Sequence, residues 1–212
     1  MTSEKKRIGR PPGVDSEETR RRLLDAGKLI FSQQGYSLTS NKLISEKAEV
    51  SRGAIYYYFP TKQALFLTIH NELQERQLNP KEEIIKNATS FAQALELLVQ
   101  DILDFRIEDP HSSAFFAVVR TEARRNTEIA DALEDRRWLA LYEDLVKLGI
   151  RTGEVCEAHG HMVKAVLSVC LLGLTHHSAE ATLTAHRNAI NGLRLLVSGQ
   201  LLKPTSQISL GS

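Results

Sequence analysis

The stretch from Leu38 to Leu65, LTSNKLISEKAEVSRGAIYYYFPTKQAL, constrains this chain most, because it reads as two short helices joined by a tight turn. Thr39 and Ser40 place hydroxyls where a helix start leaves amide donors without an intrahelical partner. Leu43, Ile44 and Ala48 follow at helical spacing as an apolar face, with Lys42 and Lys47 beside them. Glu49 and Val50 fall where the chain must turn, and Ser51 is a second potential cap. The run from Arg52 to Phe59 puts Ile55 and Phe59 on one face and leaves Arg52, Tyr56 and Tyr57 outside it. A short second helix whose outer face is basic, hydroxylic and aromatic is what a DNA major groove accepts. The pattern is that of a helix-turn-helix. Its expected DNA-facing residues are Thr39, Ser40, Lys42, Ser51, Arg52, Gly53, Ala54, Tyr56 and Tyr57. Arg52 is expected to reach a base edge and the tyrosines to grip phosphates, with Gly53 and Ala54 letting the backbone come close.

The charge distribution agrees with a polyanionic partner. The net charge of the 212 residues is only +1, but residues 1–62 carry 12 Lys/Arg against 7 Asp/Glu, and residues 63–212 carry 15 against 19. A basic head on a mildly acidic body suggests that the head meets nucleic acid. Residues 1–14 form a basic arm in which Gly9-Arg10-Pro11 resembles the core of an AT-hook, where an extended backbone lets Arg10 enter a narrow minor groove. The competing reading of that arm is a solubilising tail.

The spacing across the whole segment is similar to the DNA-binding signature of the tetracycline-repressor (TetR) family of bacterial transcriptional regulators. The resemblance is carried by Gly35-Tyr36, Thr39-Ser40, Ile44, Ala48, Val50-Ser51, Gly53, Tyr56, Tyr58-Phe59, Lys62 and Leu65. Ser45 stands where the family usually has Ala, and Glu49 where its turn usually has Gly. If that turn needs a positive φ, Glu49 costs about 1 kcal/mol or a little more relative to Gly. The resemblance is specific over about residues 16–66 and architectural beyond. It implies a phosphate contact at Lys62, a connecting helix from Lys62, a ligand pocket in the body and a homodimer on a pseudo-palindromic operator of double-stranded DNA.

Read in order, the chain is all helices, about nine of them. Asp15 or Ser16 caps a first helix that Gly35 ends, with Leu23, Ala26, Ile30 and Phe31 on its stripe and Arg20, Arg21 and Arg22 near its start. The helix from Lys62 should stop near Leu78, before Asn79-Pro80. Further helices are expected from Ser90 to Asp109, from Ser112 to Asn126, from Thr127 to Gly149 or Gly153, from His161 to Glu180, and from Ala185 to Leu202. The domain scheme is an arm at 1–14, a DNA-binding domain at 15–66, an effector-binding and dimerisation domain at 67–203, and a polar tail at 204–212. No apolar run approaches the ~20 residues a membrane span needs, and no apolar stretch follows the basic N-terminus, so no membrane partner and no signal peptide are expected. Two cysteines, Cys156 and Cys170, fit a reducing cytoplasm better than a disulfide framework.

Chemistry beyond DNA binding is less sharply marked. There is no phosphate loop, nucleophile elbow or zinc-protease motif, so no catalytic residue and no cofactor are assigned, and an enzyme is the rejected alternative. Cys156, His159 and His161 put three borderline ligands within six residues, an alternative reading as a metal- or redox-responsive loop that lacks a standard four-ligand spacing. Phe105, Phe115, Phe116, Trp138 and Tyr142, with Phe91, are each ordinary core residues by type. Spread over successive helices, the first five are expected to line an apolar cavity, with Arg120 or His177 orienting one polar group of a small lipophilic or aromatic effector. The helix centred on Val166–Leu174 is apolar on two sides, and with the final helix it is expected to pair with its counterpart as a four-helix bundle across a two-fold axis.

Overall fold

The computed structural model describes residues 14–132 and 137–201; the arm with Arg10, residues 133–136 and the polar tail lie outside them. The described residues hold ten α-helices and no strand, one helix more than the sequence count. The helices are α1 Val14–Leu38, α2 Asn41–Lys47, α3 Arg52–Tyr58, α4 Lys62–Asn87, α5 Phe91–Glu108, α6 Pro110–Ala123, α7 Thr127–Ala132, α8 Arg137–Arg151, α9 Gly160–Glu180 and α10 Leu183–Val197, with a 3-10 turn at Glu157–His159. They group into two units: residues 14–73 with 118–132, and residues 74–117 with 137–201.

In the first unit the stripe of α1 buries Leu23, Ala26 and Phe31, and α4 buries Leu65, Phe66 and Ile69. The two helices meet at Gly27, where an added Cβ would lie 2.9 Å from Ile69 Cδ1. Phe31, Tyr36 and Phe66 form a ring cluster, with centroids 5.0 Å apart for Phe31–Phe66 and 4.9 Å for Tyr36–Phe66. Fully burying a phenylalanine stabilises by roughly 1.5–3 kcal/mol, so Phe31 and Phe66 dominate this small core. Gly35, at φ 81° and ψ 175°, breaks α1 and lets Tyr36 turn back onto the core.

In the second unit α5, α8, α9 and α10 enclose one cluster that includes Leu98, Val99, Tyr142, Leu145, Leu148, Leu171, Leu174 and Ile190. Ser90 caps α5 by accepting from Gln93 N, and Thr182 caps α10 by accepting from Ala185 N. Helix α6 starts at Pro110 rather than Ser112, because a proline in the first turn needs no amide partner and Asp109 Oδ1 accepts from Ser112 N at 3.1 Å. The helix expected from Thr127 to Gly149 or Gly153 is seen as α7 and α8, and the junction between them, residues 133–136, lies outside the described residues.

Two further expectations are corrected. Helix α4 does not stop at Leu78 but runs through Pro80 to Asn87. Side chains hold it on both sides of the proline: Arg137 donates to Glu75, Asn79 and Glu82, and Lys81 Nζ donates to Gln77 O and pairs with Asp101. The second correction concerns apolar length. The stretch Glu157–Glu180 reaches a mean hydropathy of 1.3 and is long and apolar enough to cross a membrane by length and composition, although histidines and Lys164 interrupt it. Met162, Val166, Val169 and Leu172 lie exposed along one face of α9, and Leu195, Leu196 and Val197 are exposed at the end of α10.

Candidate nucleic-acid interface

The reading head is built from two self-capped helices. Ser40, with extended backbone, accepts from Leu43 N at 3.3 Å to start α2, and Ser51 accepts from Ala54 N at 3.2 Å to start α3. Each cap is worth about 1 kcal/mol, which matters for helices of only seven residues. Ile44, Ala48, Ile55 and Phe59 are buried as their spacing requires. Leu43 is not: it is 39% exposed, and Ser45 takes the inward place instead. The hydroxyl of Ser45 donates to Lys42 O at 2.9 Å, so the serine is accommodated where an alanine would be simpler.

The turn between α2 and α3 does adopt a positive φ, 54°, at Glu49. Val50 N donates to Ser45 O at 3.0 Å, closing it. Arg22 of α1 holds the strained residue, donating to Glu49 O at 3.1 Å and to its carboxylate at 3.4 Å. Arg20 is likewise engaged, with Glu72 at 2.8 Å. These two arginines of α1 therefore brace the head, while Arg21 is exposed.

What α3 leaves outside is Arg52, Tyr56 and Tyr57, with Tyr57 80% exposed. Lys42, Ser40 and Gly53 are also exposed, and Ala54 is half-buried. At Gly53 an added Cβ would meet nothing closer than its neighbour's cap, Ser51 Oγ at 3.9 Å, so nothing inside the protein asks for a glycine there. Two of the sequence-selected residues turn inward. Thr39 is buried, its hydroxyl donating to Gly35 O at 2.6 Å. Lys62 Nζ donates to Tyr36 O at 2.8 Å and Thr39 O at 2.9 Å and sits 4.2 Å from the centre of the Tyr36 ring. Burial lowers the Lys62 pKa, and Glu122 acts against that. Burial also raises the Tyr36 pKa, with Glu122 and Glu128 adding to it. Lys62 thus ties the end of α1 to the start of α4.

In the second unit the expected pocket residues are spread over several packing contacts. Tyr142 belongs to the core, with burial raising its pKa, and its ring lies 6.4 Å from Trp138. Trp138 packs against the same cluster and lies 5.9 Å from Lys81 Nζ. Phe115 is fully buried, 6.4 Å from the half-buried Phe116. Phe105 lies under the Arg76 guanidinium at 5.4 Å. Arg120 falls in the first unit. His177 meets a residue not selected from sequence, His186, with ring centroids 5.7 Å apart. Its signal was present: His186 sits in register with Ile190, Leu193 and Val197, on an apolar stripe where a histidine is out of place. Cys156, His159 and His161 are all exposed, and no group of three or more His, Cys, Asp or Glu able to hold a metal occurs among the described residues.

Comparison with known proteins agrees with this geometry. Residues 23–69, which include both short helices, match the model of bacterial regulatory proteins of the tetR family. Over 192 residues the chain is 27% identical to the HTH-type transcriptional regulator UidR of Escherichia coli K12, covering 89% of this chain and 95% of UidR. Among solved structures, Salmonella enterica GusR is similar at 25% identity with a TM-score of 0.65, over 92% of this chain and 99% of that one. A transcriptional regulator from Saccharomonospora viridis, solved in complex with choline, shares the fold at 18% identity and a TM-score of 0.69, over 84% of this chain and 95% of that one. The matched segment falls on the capped helix pair, so residues 23–69 are a DNA-binding segment of the TetR type, carried on a chain that is similar over nearly its whole length to HTH-type transcriptional regulators.

Proposed function

We propose that the protein acts as a homodimeric repressor that reads a pseudo-palindromic operator with α3 and is released from it by a small organic ligand bound in the second unit. The observation that carries the DNA side is the outer face of α3. Arg52, Tyr56 and Tyr57 are exposed there, the caps are already satisfied by Ser40 and Ser51, and Gly53 has no internal reason to be glycine. Arg52 is assigned to a base edge, Tyr56, Tyr57, Lys42 and Ser40 to phosphates, and the backbone at Gly53-Ala54 to close approach. Thr39 and Lys62 act by holding the head, their polar groups being committed to carbonyls of residues 35–39. Arg10 of the arm is assigned to a flanking minor groove.

The exposed apolar face of α9 supports dimerisation. Met162, Val166, Val169 and Leu172 recur at helical spacing beside the small residues Ala165 and Gly173, which allow close approach of a partner helix. A dimer places two copies of α3 about one DNA turn apart, ~34–36 Å, as a palindrome requires. The effector is assigned to the second unit, near Phe105, Phe115, Phe116, Trp138, Tyr142 and His177; that a protein of similar fold was solved with choline supports a small-molecule ligand, without locating it. The setting is the cytoplasm, where operator DNA is.

The test begins with selection of a binding sequence from random duplex DNA, followed by fluorescence anisotropy and sedimentation without detergent. Arg52→Ala should cost ~1–3 kcal/mol on the selected operator and flatten its preference over random DNA. Equal loss on both sequences contradicts the base assignment, and a monomer in sedimentation contradicts the dimer.

A further inference from the structure

Two helices of the second unit bring histidine rings together, and a third, α5, carries Arg106, whose charge acts on one of them. His186 of α10 is fully buried, and its Nδ1 lies 3.4 Å from His177 Nδ1 of α9, so one ring donates that proton and the other accepts it. The other ring nitrogen of His186, Nε2, is buried with no hydrogen-bond partner, and so is Nε of Arg106 on α5. Leaving such groups unpaired in the interior costs about 1–3 kcal/mol each, so both are donors that an incoming acceptor would satisfy.

The sign of that group follows from the charges. Burial, then His177, then Arg106 push the His186 pKa below the usual histidine value. The acids nearby in sequence are engaged or turned outward. Asp104 accepts from Gln100, Glu108 and Asp109 pair with Arg76, and Glu180 is exposed. The surroundings are apolar: one turn along each helix from the polar residues lie Leu103, Leu174 and Ile190, all in the core cluster. We propose that Arg106, His177 and His186 form the anion-binding end of the effector site and take the carboxylate of a small organic acid with an apolar body. The inference rests on the ligand-responsive reading above and names the ligand's class. Arg106 Nε–H and His186 Nε2–H each donate to a carboxylate oxygen, while His186 Nδ1–H donates to His177. His186 takes up a proton from solvent as the anion enters, because a buried carboxylate favours the imidazolium. Binding therefore tightens as pH falls toward the histidine range.

The experiment titrates the full-length protein with sodium octanoate and sodium phenylacetate, and with the matching neutral amides. Calorimetry in two buffers of different ionisation enthalpy reads proton uptake, and imidazole nitrogen NMR reads the state of His186. At least one acid should bind about 10-fold or more tightly than its amide, with net proton uptake and His186 Nε2 moving into the protonated range. Arg106→Gln and His186→Gln should each weaken acid binding about 10-fold, and Arg106→Lys should recover part of it. The acid-to-amide ratio in the unaltered protein stands even where a variant folds poorly. Failure of both acids to bind at millimolar concentration, amides that bind as well as the acids, or binding without proton uptake overturns the proposal. Operator release separates the two readings. A neutral compound that releases DNA while no acid binds keeps ligand control and removes the carboxylate site. An acid that binds at the cluster without changing operator affinity keeps the site and removes its regulatory role.

Discussion

The DNA-reading head and the helical body are stabilised at different ranges along the chain. In the head the hydroxyl side chains of and around the two short helices work locally, and Arg22 and Lys62 add the longer braces. Ser40 serves Leu43, Ser51 serves Ala54, Thr39 serves Gly35 and Ser45 serves Lys42, all within four residues. In the body local caps such as Ser90 and Thr182 are joined by contacts that are far more remote. Glu154 caps the start of α5 by accepting from Phe91 N at 2.6 Å and Ala92 N at 3.1 Å, and those donors lower its pKa after Thr152 has done so. Arg137 reaches back 55–62 residues to clasp α4 around Pro80, and Arg194 pairs with Glu96 across 98 residues. Local caps can be read from spacing, whereas a remote clasp depends on a tertiary placement that no window of sequence contains.

The largest effect expected from this difference is in the body. Lys81 is almost fully buried and desolvation lowers its pKa, against which Asp101 raises it. Asp101→Ala strands an ammonium inside the core, and urea unfolding should show a loss of about 3–5 kcal/mol. Replacing both together, Lys81→Met with Asp101→Leu, should recover most of it, since an apolar pair of similar volume avoids the desolvation cost. A loss below about 1 kcal/mol for Asp101→Ala would mean that the body does not depend on its remote pairs.

The head's counterpart is Gly35. Its φ of 81° and ψ of 175° belong to a region open essentially to glycine alone, while an added Cβ would meet nothing within 4 Å. Gly35→Ala is then a test of backbone strain uncontaminated by packing, with an expected loss of about 1–3 kcal/mol in thermal unfolding. An unchanged midpoint would show that the Tyr36 turn rearranges freely.

A pH titration probes the body more gently. His186 has a folded pKa below its unfolded value near 6.5, so between the two the unfolded chain binds more protons. Stability should therefore be fully present above the unfolded value and fall as pH drops through the folded one. His186→Gln should flatten that acid limb. A limb unchanged by the substitution would assign the acid sensitivity elsewhere.

How much was legible follows the same division. The helix-turn-helix, both serine caps and the inward Ile44, Ala48, Ile55 and Phe59 could be read because groove geometry and helical period fix their spacing. Leu43 was misplaced because a seven-residue helix presents too narrow a face for period alone to choose between adjacent residues. Pro80 was taken as a stop because its clasp comes from Arg137 on another helix. Lys81 and His186 lay in plain view on apolar stripes, between Leu78 and Ile85 and ahead of Ile190, yet their partners Asp101 and His177 come from other helices.

The smallest expected effect returns to the head's one departure from local consistency. Glu49 holds φ at 54° with a Cβ, a conformation that costs about 1–2 kcal/mol relative to the right-handed region. Glu49→Gly removes that strain but gives the unfolded chain more freedom, which offsets about 0.5–1 kcal/mol of the gain. Arg22 loses the carboxylate contact at 3.4 Å, an exposed pair worth little, and keeps the carbonyl at 3.1 Å. The net expectation is a stabilisation of about 0.5 kcal/mol, a rise of one to a few degrees in the melting temperature of the head. Glu49→Ala separates the terms, since it keeps the Cβ and its strain while removing the carboxylate, and should not stabilise. If Glu49→Gly lowers the melting temperature as much as Glu49→Ala does, the Arg22 carboxylate contact outweighs the backbone strain, and the turn is held by its brace on α1 rather than against its own φ.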